Sequence, residues 1–129
     1  MHELTMTFQI TKILHASFLI EDTARSLEFY KDMLGLEIDL SRPDLGYPGA
    51  WLNVGDQQIH LIQLPSPDSN QRPEHGGHDR HIALQIKGIE GLKEKVEAAG
   101  VNFTTSKSRS NVIFIRDPDG NALEFIGTS

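Results

Sequence analysis

Four residues in this 129-residue chain combine metal-binding chemistry with regular spacing: His15, His60, His81 and Glu124. His15 stands between Leu14 and Ala16, His60 between Ile59 and Leu61, and Glu124 between Leu123 and Phe125, while His81 opens the run Ile82-Ala83-Leu84. An unpaired carboxylate among apolar neighbours is expensive. Imidazole and carboxylate donors together suit Zn, Fe, Co, Ni or Mn, whereas Mg and Ca favour all-oxygen shells. Four such ligands still leave two positions of a six-coordinate ion for water or a bidentate substrate. Taken singly, each residue has a plainer reading. A histidine in a strand is commonly a hydrogen-bonded core residue, and an alternating strand can turn Glu124 outward.

Spacing ties the four together. His15 lies 45 residues before His60, and His81 lies 43 before Glu124. Gly35 follows His15 by 20 residues, and Gly100 follows His81 by 19. Each half therefore offers a strand His, a helix-ending Gly and a polar residue inside its last apolar strand, the pattern of an internal duplication. If the halves pack about a pseudo-twofold axis, the four side chains converge.

The elements that must carry them follow from periodicity. Residues 12–20 read as a strand; Asp22 and Thr23 then cap a helix over 23–34, with Leu27, Tyr30 and Leu34 on its apolar face. Strands are expected at 36–40, 50–54 and 57–64, the last two joined by the tight Gly55-Asp56 turn. His81–Ile86 is a strand; Ile89, Leu92, Val96 and Ala99 mark a helix over 89–99. Three short strands at 101–105, 111–116 and 121–126 complete the chain, with Asp117-Pro118-Asp119-Gly120 as the last turn. The expected fold is α+β, a single domain over 1–129 built as β-α-β-β-β twice. Its first module spans 10–64, a Pro- and Gly-rich linker 65–79, and its second module 80–127. Residues 1–9 read as a lead-in or an arm on another subunit.

Other polar residues are read more plainly. His75 and His78, in Glu74-His-Gly-Gly-His, are exposed loop residues available as a mobile acid or base. Arg80 and Arg116 adjoin strand ends, where surface ion pairs are the expectation and an anionic substrate group the sharper alternative. Trp51, Phe103 and Phe114 read as sheet packing.

Composition narrows the class. The chain has no Cys, which excludes disulfides, thiolate metal sites and a cysteine nucleophile. Asp and Glu outnumber Lys and Arg 18 to 12, which argues against a nucleic-acid surface. No apolar run approaches a membrane span, and Met1-His2-Glu3-Leu4 is no secretory signal, so a soluble cytoplasmic protein is expected.

Leu14-His15, the helix Ala24-Arg-Ser-Leu-Glu-Phe-Tyr30 through Leu34-Gly35-Leu36, His81-Ile-Ala-Leu84 and Asp117-Pro-Asp-Gly-Asn121 before Leu123-Glu124-Phe125 match a known pattern. Over Ile13 to Ile126 the chain resembles the vicinal oxygen chelate superfamily, which includes glyoxalase I, bleomycin and fosfomycin resistance proteins and extradiol dioxygenases. The resemblance implies two βαβββ modules curled into an open barrel around a divalent metal (Zn, Ni, Co, Fe or Mn), commonly completed across a homodimer. It places His15, His60, His81 and Glu124 on the metal positions and makes Glu124 the catalytic base. It implies a lyase or isomerase acting on a small substrate with vicinal oxygens, the metal serving as Lewis acid. Two alternatives come with the family: a single-domain iron-dependent dioxygenase and a small-molecule-binding or resistance protein. Glyoxalase I commonly has Glu where this chain has His60, and bacterial glyoxalases have Arg where it has Leu19. Families with two His and one Glu match His15, His81 and Glu124 and leave His60 extra.

Overall fold

The computed structural model describes residues 7–128, so most of the expected lead-in at 1–9 lies outside the described residues. Eight strands form two four-stranded sheets. The first takes β1 (His15–Ile20), β2 (Glu37–Ile38), β3 (Gly49–Val54) and β4 (Gln57–Gln63) in the order β1-β4-β3-β2. The second takes β5 (His81–Lys87), β6 (Phe103–Thr105), β7 (Val112–Arg116) and β8 (Ala122–Thr128) in the order β5-β8-β7-β6. In each sheet the first strand runs parallel to the last and the other pairings are antiparallel. A parallel pair needs a crossover, and the helix and two strands between supply it. The expected repeat is therefore present as two open mixed sheets; within one chain they do not close into a barrel.

The strands expected at 36–40 and 101–105 are shorter, Glu37–Ile38 and Phe103–Thr105, and two elements near the site differ in kind or start. The first helix begins as α1 (Thr23–Leu27), capped by the Asp22 carboxylate, which accepts from the Arg25 amide at 3.1 Å. It then widens into a π-helical stretch, Glu28–Met33, whose register turns Phe29 and Tyr30 inward. A propensity reading does not separate the two windings. The first strand starts at His15, not at residue 12, and Ile13 and Leu14 stay exposed. The second helix, α2 (Ile89–Ala98), lies where the spacing puts it.

Alternation sorts each sheet into two faces. On the first sheet Ile20, Leu52, Ile59 and Leu61 turn to the core under Phe29 and Tyr30; on the second, Ile113, Ile115, Leu123 and Phe125 do so with Leu92 and Val96 of α2. These side chains belong to one continuous cluster, so the two modules share a core. The opposite faces carry the polar residues of interest. Among the described residues no helix is long and apolar enough to cross a membrane.

Polar contacts also lock the modules together. Asp117, 5 % exposed, accepts from the Tyr30 hydroxyl at 2.7 Å, from the Asp119 and Asn121 amides and from the Asn121 side chain. Burial pushes the Asp117 carboxyl above its ordinary value, with these hydrogen bonds opposing, and burial followed by the Asp117 charge drives the Tyr30 hydroxyl well upward. Asp119 in the same turn accepts from the Glu21 amide at 3.0 Å and from Arg25 at 2.7 Å. The expected connecting turn is thus also the clasp between modules.

The later part of the long segment between the sheets packs on the second one. A single 3-10 turn, Gly76–His78, sits over β7 and β8, where a Cβ on Gly76 would come within 3.2 Å of the Ala122 Cβ and one on Gly77 within 3.1 Å of the Phe114 ring. Asp79 pins the segment, accepting from Arg72 at 2.6 and 2.9 Å and from Arg116 at 2.8 Å. The Arg72 bonds lead in holding its carboxyl far below the usual range.

Two outcomes are expected. Tyr30→Phe leaves a buried carboxylate one donor short and should lower unfolding free energy by roughly 1–3 kcal/mol in denaturant titrations, with the fold retained. Asp79 has its acidity strengthened by folding, so its stabilisation is complete above the ordinary value of 3.8 and fades as pH falls below it. Asp79→Asn should accordingly speed proteolysis within residues 65–78 at neutral pH, and unchanged cleavage would refute the pinning role.

Candidate metal centre

The polar face of the first sheet carries His15 on β1 and His60 on β4. Ser17 is the register partner of His60, and Gln58 that of His15, so all four point to one side. The two imidazoles stack at 3.8 Å between centroids with planes 12° apart. Trp51, opposite His60 on β3, covers the other face of that ring at 4.5 Å and 9°. Trp51 is therefore more than sheet packing. His60 Nε2 meets Gln58 Oε1 at 2.8 Å, and the Gln58 amide nitrogen donates to Asp39 at 2.8 Å and to Asn53 at 2.9 Å. Partial burial, the neighbouring His15 and then Arg42 push the His60 imidazole below its ordinary value, with Asp39 opposing. It stays neutral near pH 7, the form that ligates metals.

The corresponding face of the second sheet carries His81 on β5 and Glu124 on β8. Ala83 is the register partner of Glu124 and Ala122 that of His81, which sets the two polar side chains on one face two residues apart. His81 Nε2 lies 3.0 Å from Glu124 Oε1, and His81 Nδ1 lies 2.8 Å from the Asp79 carbonyl, which fixes the ring edge-on to Phe114. Glu124 is only 7 % exposed, and its second oxygen accepts from Arg109 at 3.3 Å. Glu124 thus takes the outward position that alternation allows, on the face opposite Leu123 and Phe125, yet it is buried there among polar partners.

His75 is less free than expected of a loop residue, while His78 is exposed as expected. His75 Nδ1 bonds Thr104 Oγ1 at 2.7 Å and its ring packs edge-on against Phe114, with His78 at 4.9 Å between centroids. Arg80 forms the expected surface pair, with Asp68, whereas Arg116 pairs with Asp79 in a largely covered position. A cavity of about 1050 Å³ opens between the β1 and β5 edges, lined by Ser17, Arg72, Arg80 and His81 among others.

The structure thus brings the four predicted residues together as two pairs, His15 with His60 and His81 with Glu124. Within one chain the pairs do not merge: among the described residues no three His, Asp or Glu side chains gather as an ion site. The donor set itself, three imidazoles and a buried carboxylate, fits a divalent transition ion. Gln58, Asp39 and Arg109 escaped the sequence reading. For Gln58 the signal was available, because a residue two before His60 on a strand shares its face.

Comparison with known proteins identifies the family. Residues 12–125 match the sequence profile of the Glyoxalase/Bleomycin resistance protein/Dioxygenase superfamily. The chain is 35 % identical over 123 residues to a lactoylglutathione lyase of Haemophilus influenzae, covering 89 % of this chain and 91 % of that one. It is 29 % identical over 123 residues, with the same coverages, to a lactoylglutathione lyase of Escherichia coli O157:H7. In structure it resembles a fosfomycin resistance protein from Listeria monocytogenes, with a TM-score of 0.73 at 19 % identity over 92 % of this chain and 91 % of that one. Sequence profile, relatives and paired βαβββ sheets agree: the chain belongs to the Glyoxalase/Bleomycin resistance protein/Dioxygenase superfamily.

Proposed function

We propose that this protein is a divalent-metal-dependent, glyoxalase-like enzyme of the lyase or isomerase class, acting on a small substrate with vicinal oxygens. The observation that carries the reading is the division of one ligand set into two half-sites, His15 with His60 and His81 with Glu124, on corresponding faces of duplicated sheets. Neither pair suffices alone. A twofold homodimer that sets the first sheet of one protomer against the second sheet of its partner unites the pairs, twice per dimer. Exposed Phe8, Ile10, Ile13 and Leu14, just before His15, provide apolar surface for such pairing.

His15, His60, His81 and Glu124 would hold the ion, which supplies Lewis-acid polarisation of substrate oxygens. The chain's own residues do the rest. Glu124 is the proton-transfer group: buried, aimed at the site and paired with His81, it has a second oxygen that Arg109 keeps oriented. His81 is oriented by the Asp79 carbonyl, and His60 by Trp51 and Gln58, so the ligands are held by the protein before substrate arrives. Lactoylglutathione formation is the first reaction to assay, because the curated relatives are named for it. Leu19, where bacterial glyoxalases have Arg, favours a thiol adduct smaller or less acidic than the glutathione conjugate.

Co-expression of His15→Ala and Glu124→Ala chains tests the shared site. Each homodimer should be inactive, while the mixed dimer keeps one intact site, restoring about a quarter of wild-type sites under random pairing. No recovery of metal content or activity in the purified mixed dimer would refute sharing. Glu124→Gln separates binding from proton transfer. Turnover should fall at least about a hundredfold with the metal still bound, whereas a fall that only tracks metal occupancy would remove Glu124 as the base.

A further inference from the structure

The first half-site contains a hydrogen-bonded chain that decides which nitrogen His60 presents. It starts at Asp39, whose Oδ1 accepts from the Ser41 amide at 2.9 Å and hydroxyl at 2.7 Å, leaving Oδ2 for the Gln58 side chain at 2.8 Å. An ionised carboxylate only accepts, so it selects the NH₂ end of the Gln58 amide. Asn53 Oδ1, 2.9 Å from the same nitrogen, reinforces that choice. With its NH₂ engaged, Gln58 turns Oε1 to His60 Nε2 at 2.8 Å. A carbonyl oxygen accepts, so Nε2 must carry the proton. The ring cannot escape this by tilting, because His15 and Trp51 sandwich it with planes 12° and 9° from its own.

We propose that Asp39 and Gln58 form a positioning relay that holds His60 as its Nε2–H tautomer, leaving Nδ1 as the lone pair it offers to the centre. The tautomer follows from the relay alone; the assignment of Nδ1 as a metal ligand rests on the function proposed above. Asp39 and Gln58 touch neither substrate nor metal in this scheme. They act through His60, and their effect is to remove one of two ways in which that ring could ligate. Asp39 lies just beyond β2 and Gln58 on β4, so the relay also ties the outer strand of the sheet to the site.

Long-range proton–nitrogen correlation on ¹⁵N-labelled, metal-free protein near pH 7.5 reads the tautomer directly. His60 should show a protonated Nε2 and an unprotonated Nδ1, in a ratio of at least about tenfold, the scale of one hydrogen bond. Gln58→Leu, which removes the acceptor, should reduce that ratio severalfold, while Gln58→Glu, which keeps an acceptor, should retain it. A protonated Nδ1 in the wild type, or a ratio unchanged in Gln58→Leu, overturns the relay. Adding Zn²⁺ then separates the two readings. Movement of the Nδ1 resonance with the Nε2 proton retained supports both; movement of Nε2 with loss of its proton overturns the relay. A response at neither nitrogen, with the tautomer as expected, upholds the relay and removes His60 from the metal centre.

Discussion

A buried carboxylate is tolerable only when donors surround it, and Asp117 meets that condition by drawing on both modules. Tyr30 comes from the π-helical stretch of the first module; the Asp119 and Asn121 amides and the Asn121 side chain come from the turn that opens β8. Asn121 also reaches the Leu19 carbonyl on β1 at 3.2 Å, and Asp119 holds the start of α1. Glu124 sits three residues beyond Asn121, and His15 starts the strand that ends one residue before Glu21. One hydrogen-bonded turn therefore sets the relation between the strands that carry both half-sites. Without it the shared apolar core would still join the modules, because hydrophobic burial is nondirectional. It would not specify their relative angle.

That constraint explains why the half-sites are built on strands and not on loops. Parallel pairing of β1 with β4 and of β5 with β8 puts His15 beside His60 and His81 beside Glu124 on adjacent strands in a fixed register. Supporting groups then come from the same face: Gln58 beneath His60, Trp51 beside it, Phe114 between His81 and His75. The segment over 64–80 completes the second half. Its glycines allow the backbone to lie directly on Ala122 and Phe114, and Asp79 serves twice, its side chain pinning the segment and its carbonyl orienting His81.

Much of this was legible in the sequence because it is local. Alternating runs place the eight strands, Gly35 and Gly100 stop the helices, and the 45- and 43-residue intervals expose the duplication. The pairing of His15 with His60 and of His81 with Glu124 follows from that duplication as well. What the sequence concealed is nonlocal. Nothing in Glu28–Met33 distinguishes a π-helical winding from an α-helical one, since the choice is made by where Tyr30 must reach. Arg109 stands in a polar stretch with no periodicity and Asp39 at a polar position of the alternating run 36–40, and their roles exist only once β8 and β4 bring Glu124 and Gln58 to them. The distance between the His15–His60 and His81–Glu124 pairs likewise depends on module packing, which spacing along the chain does not encode.

His60 shows how a departure from the family pattern alters the physics of a site. A carboxylate there would bring a second negative charge; an imidazole brings none, and it must share the face with His15 at 3.8 Å. Two rings so close cannot both be protonated without strong repulsion, and burial adds to the cost of charging His60. His60 therefore remains a source of a lone pair near neutral pH. The two halves are consequently unlike: one is an imidazole stack braced by Trp51, the other a His81–Glu124 pair with Arg109 3.3 Å from the carboxylate. A divalent ion held between them would have a single carboxylate against its two charges. On the proposed reading, that residual positive charge favours substrates whose vicinal oxygens become anionic as they react.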